Sequence, residues 1–280
     1  MSEFSFASIN AANLGEWSDE SRIDAFVTSM VTDLGAPLII AIQEIGAAAM
    51  GDEPVKALVA DTIIQKLAAH QWTYHYADIA PMPETTGGAE NMNIRCGFLY
   101  RAPVELRSLQ QIGADSPFFI GSDELDCVAS RLPLVGEFVY QNDVIYIINC
   151  HLKSMSLKNQ TKKQAKKQRN QQSKVVAEFI EAHNLKAHPL IIAGDMNDTF
   201  NSKTVQAIAK IGFESVHAQL KYQIYTYKYQ KKPILLDYIL YNEHFTDVEG
   251  AIAHINTDPM NERRYSDHDP ILMMGQLCSK

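Results

Sequence analysis

The residues able to do chemistry in this 280-residue chain recur where apolar runs stop. Asn10 ends "FSFASIN", Glu44 ends "LIIAIQE", and Asn149 and His151 close "DVIYIINCHL". Asp195 and Asn197 end "PLIIAGDMN", Asp237 sits in "LLDYILYN", and Asp267 with His268 stands just before "PILMMGQL". Asn, Asp and Glu oxygens are hard ligands suited to Mg²⁺, Mn²⁺ or Ca²⁺, and no cysteine joins the set to suggest zinc. Histidine exchanges a proton near neutral pH, above all when a carboxylate fixes its ring. A hard dication with a carboxylate-oriented histidine is equipment for attacking a phosphate ester with water. Singly, each residue has a plainer reading, because Asn and Asp favour strand ends and turns. "YSDHDP" alone reads as a turn. Together, repeated at the ends of successive buried runs, they point to one site.

Positioning them requires short strands interleaved with helices. Strand-like runs cover 4–10, 38–44, 94–100, 133–140, 143–152, 189–197, 235–242 and 270–277, rich in Ile, Val, Phe and Tyr. Apolar residues at helical spacing mark 19–34, 54–70 and a segment ending at 173–183. Strands outnumber helices and are interrupted by them, which predicts a layered α/β or α+β fold. No repeat and no Gly/Ser- or Pro-rich linker divides the chain, so the expectation is one domain over 1–280.

Composition narrows the function. An apolar content of 46% suffices for a substantial core, and a net charge of -8 argues against binding nucleic acid through bulk charge. No apolar run reaches the length of a spanning helix, and "MSEFSFASIN" lacks the basic start of a signal peptide. The expectation is a soluble chain off the membrane, cytoplasmic or secreted after loss of a leader. Cys96, Cys127, Cys150 and Cys278 are widely spaced, with no CxxC pair; Cys150 reads as a core thiol, and a single disulfide is neither required nor ruled out.

"SINAANL", "IIAIQE", "SRLPLVGEF", "INCHLKS", "IIAGDMND", "LLDYIL" and "YSDHDP" occur in an order that resembles the endonuclease/exonuclease/phosphatase superfamily, the DNase I-like fold. The resemblance runs from about residue 6 to 272, and the spelling around "NCHLKS" and "QRNQQ" is most similar to its bacterial nuclease-like branch. It implies a four-layer α/β sandwich, two mixed β-sheets face to face with helices outside. It also implies roles. Asn10 and Glu44 would hold the divalent metal, Mg²⁺ or alternatively Mn²⁺ or Ca²⁺, with Asp267 completing that site; Asn13 is a minor rival to Asn10. Asp195 would orient or deprotonate the attacking water. His268 would act as acid-base or phosphate-polarising group with Asp237 fixing its ring. His151 would be a second phosphate-binding histidine, Asn197 would bind the scissile phosphate, and Arg131 would contact it. Asn149 would either contact phosphate or support the His151 loop. Asp198 and Asp269 are expected to brace loops. Arg95 stays outside the core site, and the remaining histidines are expected to be surface or structural.

One stretch departs from the acidic average. Residues 153–174 carry seven Lys and one Arg with no Asp or Glu, which leaves -16 for the rest of the chain (-8 minus +8). A charge run is usually a solvated helix face. This one leaves the candidate site directly after His151, where it would attract a polyanion, with Lys153 and Arg169 as the expected contacts. The loop "MPETTGGAENMN" at 82–93 is placed near a substrate groove, with no role assigned. The expected activity is metal-dependent hydrolysis of nucleic acid phosphodiesters, as a non-specific DNA endonuclease with no obligate protein partner. The alternatives are a phosphodiesterase or phosphatase on a small or lipid phosphoester, sphingomyelinase-like or inositol-phosphate-like, and a catalytically dead binding module.

Overall fold

The computed structural model describes residues 3–48, 52–86, 91–155 and 160–278. Two six-stranded mixed sheets form its centre. The first contains β1 (Phe4–Leu14), β2 (Ile39–Ala48), β3 (Tyr74–Asp78), β4 (Met92–Arg101), β13 (Phe245–Ile252) and β14 (Ile271–Leu277), in the order β13-β14-β1-β2-β4-β3. The second contains β5 (Glu105–Gln111), β6 (Leu134–Tyr140), β7 (Asp143–His151), β8 (Leu190–Asp195), β9 (Glu214–Ser215) and β12 (Asp237–Tyr241), in the order β5-β6-β7-β8-β12-β9. A small hairpin, β10 (Tyr227–Tyr229) with β11 (Lys232–Ile234), stands apart from both.

The layering follows from which residues alternate along each strand. Phe4, Phe6, Ile39, Phe98, Phe138 and Ile191 pack between the sheets. Their neighbours Ala7, Ile9, Ile40 and Ile42 face outward onto α1 (Glu20–Thr28) and α2 (Leu58–Ala69) through Phe26, Val27, Ile63 and Leu67. On the other side Ile148, Cys150, Leu190 and Ile192 meet α4 (Lys162–Ala182) and α5 (Lys203–Ala209) through Val176, Ile180, Val205 and Ile208; α3 (Pro117–Ile120) is a single turn. Central strands are thus apolar on both faces, which is why they read as unbroken hydrophobic runs. The result is the expected four-layer α/β/β/α sandwich.

Each sheet holds one parallel pair, β1 with β2 and β7 with β8. Parallel neighbours point to the same rim, so Asn10 lies beside Gln43, next to Glu44, and His151 directly opposite Asp195. Gly194 makes the second approach possible: its φ is +124°, and a Cβ there would sit 2.0 Å from the Cys150 carbonyl oxygen.

Several elements escaped the sequence reading. β5 and β13 alternate exposed and half-buried residues, so they carry little apolar periodicity. The helix expected over 19–34 regularises only to Thr28 and then widens into a π-helical turn, Ser29–Asp33. α4 begins at Lys162, well before its apolar pattern at 173–183, capped by Thr161, whose hydroxyl accepts from the Gln164 backbone N–H while the Gln164 side chain accepts from the Thr161 N–H. No described helix is long and apolar enough to cross a membrane.

Asn149, expected to contact phosphate or support the His151 loop, ties the two sheets together in this structure. Its Nδ2 donates to the carbonyls of Ile42 (3.0 Å) and Gly97 (2.9 Å), and its Oδ1 accepts from Gln43 Nε2 (2.7 Å), with no solvent exposure. Asn149→Ala leaves those partners unsatisfied and is expected to lower unfolding stability by about 2–4 kcal/mol, read as a shifted urea midpoint. A midpoint within experimental scatter of the parent would contradict this role.

Candidate active site

The rim where both parallel pairs end is polar and almost wholly buried. Asn10, His151, Asp195, Asn197, Asp237 and His268 are each 7% exposed or less. β1 and β2 leave regular pairing here, with register shifts between Asn10 and Leu14 and between Ile42 and Ile45. Glu44 occupies the irregularity at φ +60°, a left-handed conformation that turns its carboxylate toward the second sheet.

Asp237 and His268 are paired directly, Oδ2 to Nδ1 at 2.7 Å. The Thr226 hydroxyl donates to the same oxygen at 2.5 Å and accepts from the Asp237 N–H at 3.2 Å, so the carboxylate is clamped before it meets the ring. The Tyr227 ring lies along the imidazole, centroids 4.8 Å apart. The far nitrogen, Nε2, points toward Asp195 Oδ2 at 4.0 Å. Burial opposes a charge on His268, yet Asp237 and then Asp195 outweigh it and lift the imidazole to about 10. The ring is an imidazolium at neutral pH.

Asp195 is held by Asn197, whose backbone N–H donates to Oδ1 (2.7 Å) and whose Nδ2 donates to Oδ2 (3.0 Å). The second Nδ2 hydrogen of Asn197 goes to the Leu152 carbonyl at 3.3 Å. Asn197 therefore fixes Asp195 here, and both of its amide hydrogens are engaged. Burial raises the Asp195 carboxyl, and the negative charge of Asp237 adds to it.

Across the rim, Asn10 Nδ2 lies 3.2 Å from Glu44 Oε1 and 3.1 Å from Asp195 Oδ2. His151 Nε2 is 3.5 and 3.7 Å from the same two oxygens. Burial raises Glu44 as well, against the lowering charge of Arg131. Half-buried Glu44 and buried Asp195 converge here, and oxygen donors of this kind suit a hard dication. Glu44 fits such an ion, with Asp195 beside it. Asn10 fits after an amide turn, since its Oδ1 now accepts from the Ala12 N–H at 2.9 Å. Asp267 is exposed at the edge, close enough for its charge to act on Glu44, His268 and Arg22. Among the described residues the tightest acid–histidine group is instead Asp195, Asp237 and His268, with ligand atoms within 4.8 Å of one another. Asp237 Oδ2 there is already occupied by His268 and Thr226, which suits a proton relay better than a metal cage.

His151 is neutral: burial, then Arg131, His268 and Lys153, push its pKa well down. Its Nδ1 has no hydrogen-bond partner. Arg131 reaches the Leu152 carbonyl through Nη2 (2.7 Å) and leaves Nε unpartnered. Lys153 lies beside them, its ammonium lowered to about 8 by burial and by Arg131 and Arg169. Arg169, expected as a substrate contact, acts here as a brace. It is buried, bonded to Asp198 Oδ2 (3.2 and 3.3 Å) and the Lys153 carbonyl (3.1 Å). Asp269 bonds His254, Asn256 and Thr257 and shapes the loop before β14. The exposed basic residues of the 153–174 stretch are Lys162, Lys163, Lys166, Lys167 and Lys174; residues 156–159 lie outside the described ones.

Thr226 and Arg22 were not foreseen, nor was the reach of Ser266 beyond its own loop. Ser266 Oγ donates to the Asn10 carbonyl (2.6 Å) and accepts from the His268 N–H (3.1 Å), and Arg22 secures the Ala11, Ala12 and Tyr265 carbonyls at 2.6–2.7 Å. No motif surrounds Thr226 or Arg22, and Ser266, inside "YSDHDP", reaches a partner 256 positions away.

Residues 7–268 match the model of the Endonuclease/Exonuclease/phosphatase family. No curated protein matches the chain. Among solved structures, an endonuclease/exonuclease/phosphatase from Bacteroides vulgatus has a TM-score of 0.69 at 16% identity, covering 99% of this chain and 100% of its own. A family protein from Bacteroides thetaiotaomicron gives 0.70 at 16%, covering 99% of each chain. D. rerio TDP2, complexed with single strand DNA product, gives 0.64 at 17%, covering 99% and 100%. At these identities the likeness is one of fold. The family match over nearly the whole length decides membership: the chain belongs to the endonuclease/exonuclease/phosphatase family.

Proposed function

We propose that the protein is a divalent-metal-dependent phosphodiesterase acting on nucleic acid, as a non-specific DNA endonuclease. The observation that carries this reading is His268 held between Asp237 (2.7 Å) and Asp195 (4.0 Å), opposite the Glu44–Asn10 pair. Asp195 takes the proton of the attacking water, its proton affinity raised by burial. Charge developing on the phosphate oxygens is met by the His268 imidazolium, with the Arg131 guanidinium behind it. Asn197 keeps the Asp195 carboxylate in register, and neutral His151 can donate to a phosphate oxygen without adding charge. A dication held by Glu44, Asn10 and Asp267 would supply Lewis-acid polarisation of the phosphate.

Support for a polyanion comes from α4. Lys162, Lys163, Lys166 and Lys167 crowd the first turns of the helix, all exposed. Cations are unfavourable at that positive end, so local helix stability does not explain them. A phosphate backbone passing the site does, through sequence-independent attraction. The DNA product bound to TDP2 is in keeping with such a substrate.

Purified protein is expected to nick supercoiled plasmid with Mg²⁺ and to stop with EDTA. Absence of nicking alongside hydrolysis of bis-p-nitrophenyl phosphate would move the assignment to a small or lipid phosphoester. His268→Ala and Asp195→Ala should each reduce turnover by about 10³-fold or more, and Thr226→Val by about tenfold, with folded circular dichroism spectra retained. Near-parental rates in either of the first two would sink the mechanism. Separately, Mg²⁺ or Mn²⁺ at about 100 Kd should raise Tm by about 5–10 °C. Glu44→Gln should remove that response, and a persisting rise would place the ion elsewhere.

A further inference from the structure

A cavity of about 280 Å³ lies beside the candidate site, between the 79–86 segment and the chain leading into β6. Among the described residues, its charged lining is Arg95 and Arg131. Both are buried, 3% and 6% exposed, as is Ser130 at 2%. These three lining residues hold four buried atoms without a partner: Arg95 Nε and Nη2, Arg131 Nε and Ser130 Oγ. A guanidinium only donates, so an acceptor is what these atoms lack, and leaving them unmet costs desolvation energy.

The geometry of Arg95 is specific. Its Nη1 is anchored to Asp78 Oδ2 at 3.3 Å, and Asp78 is in turn held by the Tyr76 hydroxyl at 3.0 Å. That leaves the Nε–Nη2 edge, the side of the fork that grips a phosphate or carboxylate through two parallel bonds. The remaining walls are largely apolar, including Ile79, Pro81, Met82, Phe119 and Leu132. The volume lies near the lower end of the ~300–1,000 Å³ common for small-molecule pockets, room for one compact unit and not for a duplex.

The cavity also touches the chemistry. Arg95 pairs across the sheet with Ile45, the residue after Glu44. Arg131 binds the carbonyl of Leu152, the residue after His151. Arg131 is thus shared between the cavity and the rim where the carboxylates converge.

We infer that this cavity is a second anion subsite, taking a phosphate or carboxylate carried on an apolar body no larger than about one nucleotide, next to the scissile phosphoester. The assignment rests on the phosphodiesterase reading for its second half, and makes the preferred substrate a phosphodiester bearing a further anionic group close to the bond that breaks. The Arg95 fork and Ser130 hold the anion, the apolar walls hold the body, and Arg131 sits between the two negative groups.

The test is direct binding to the metal-free full chain in EDTA, by calorimetry, using phenyl phosphate, inorganic phosphate and deoxyadenosine 5′-monophosphate. Phenyl phosphate is expected to bind at least about tenfold tighter than inorganic phosphate, because it adds buried apolar surface. Arg95→Met, which removes the fork, and Ala80→Trp, which fills the cavity and spares the Arg95–Asp78 pair, should each weaken it tenfold or more. Binding of the nucleotide as well as phenyl phosphate identifies a nucleotide as the natural unit; binding of phenyl phosphate alone identifies a smaller one. No binding of either, or equal affinity in parent and both variants, overturns the subsite. Hydrolysis of bis-p-nitrophenyl phosphate by the parent, measured in parallel, separates the two ideas. Its absence with localised phosphate binding removes the enzyme reading and leaves the subsite. Its presence with binding indifferent to both variants removes the subsite alone.

Discussion

The arrangement depends on one topological constraint: each sheet contains a single parallel pair, and both pairs end at the same rim. Antiparallel neighbours would send alternate strand ends to opposite sides of the molecule. Here β1 and β2 deliver Asn10 and Glu44, while β7 and β8 deliver His151 and Asp195, before any loop takes part. β12 then starts opposite the end of β8, bringing Asp237 level with Asp195, and the loop into β14 closes the ring with His268. Side chains rooted in strands that are apolar on both faces have little room to drift. The site is therefore positioned by the same packing that holds the sheets together.

Buried polar residues are numerous in this fold, and burial alone does not say what they do. The count of partners does. Asn149 and Arg169 spend their donors inside the protein, on sheet carbonyls and on Asp198 with the Lys153 carbonyl. Asp269 is satisfied by the loop it shapes. By contrast His151 Nδ1, Asp237 Oδ1 and Arg131 Nε are enclosed and unmet. Satisfied groups hold the frame; unmet ones are where the interior expects something from outside.

This division explains what was legible in the sequence. The strand ends carrying Asn10, Glu44, His151, Asp195, Asp237 and His268 were visible, because apolar runs broken by a ligand-type residue are a local pattern. Whether a polar residue bonds its own frame was not visible, since the partners are distant: Asn149 with Gly97 are 52 positions apart, and Thr226 with Asp237 meet only through a turned hairpin. Edge strands such as β5 and β13 were missed because half their residues face water. Arg95 did leave a trace, a lone cation inside the apolar run "IRCGFLY". A charge in a buried strand implies a partner, and only three dimensions show that Asp78 meets just one edge of it.

Glu44 carries a further consequence. At φ +60° it occupies backbone space that Gly or Asn fills more easily, at a cost of order 1 kcal/mol for a residue of its kind. Burial moreover raises its carboxyl, an added cost of keeping it charged there. A descendant of this chain released from its chemistry would gain stability by exchanging Glu44 for Gly or Asn, with no other change to the sheet. Position 44 is thus a marker of selective history. On the proposed function, retention of the acid among related sequences would record a reaction still under selection, and a small or amide residue there a fold that has outlived its use.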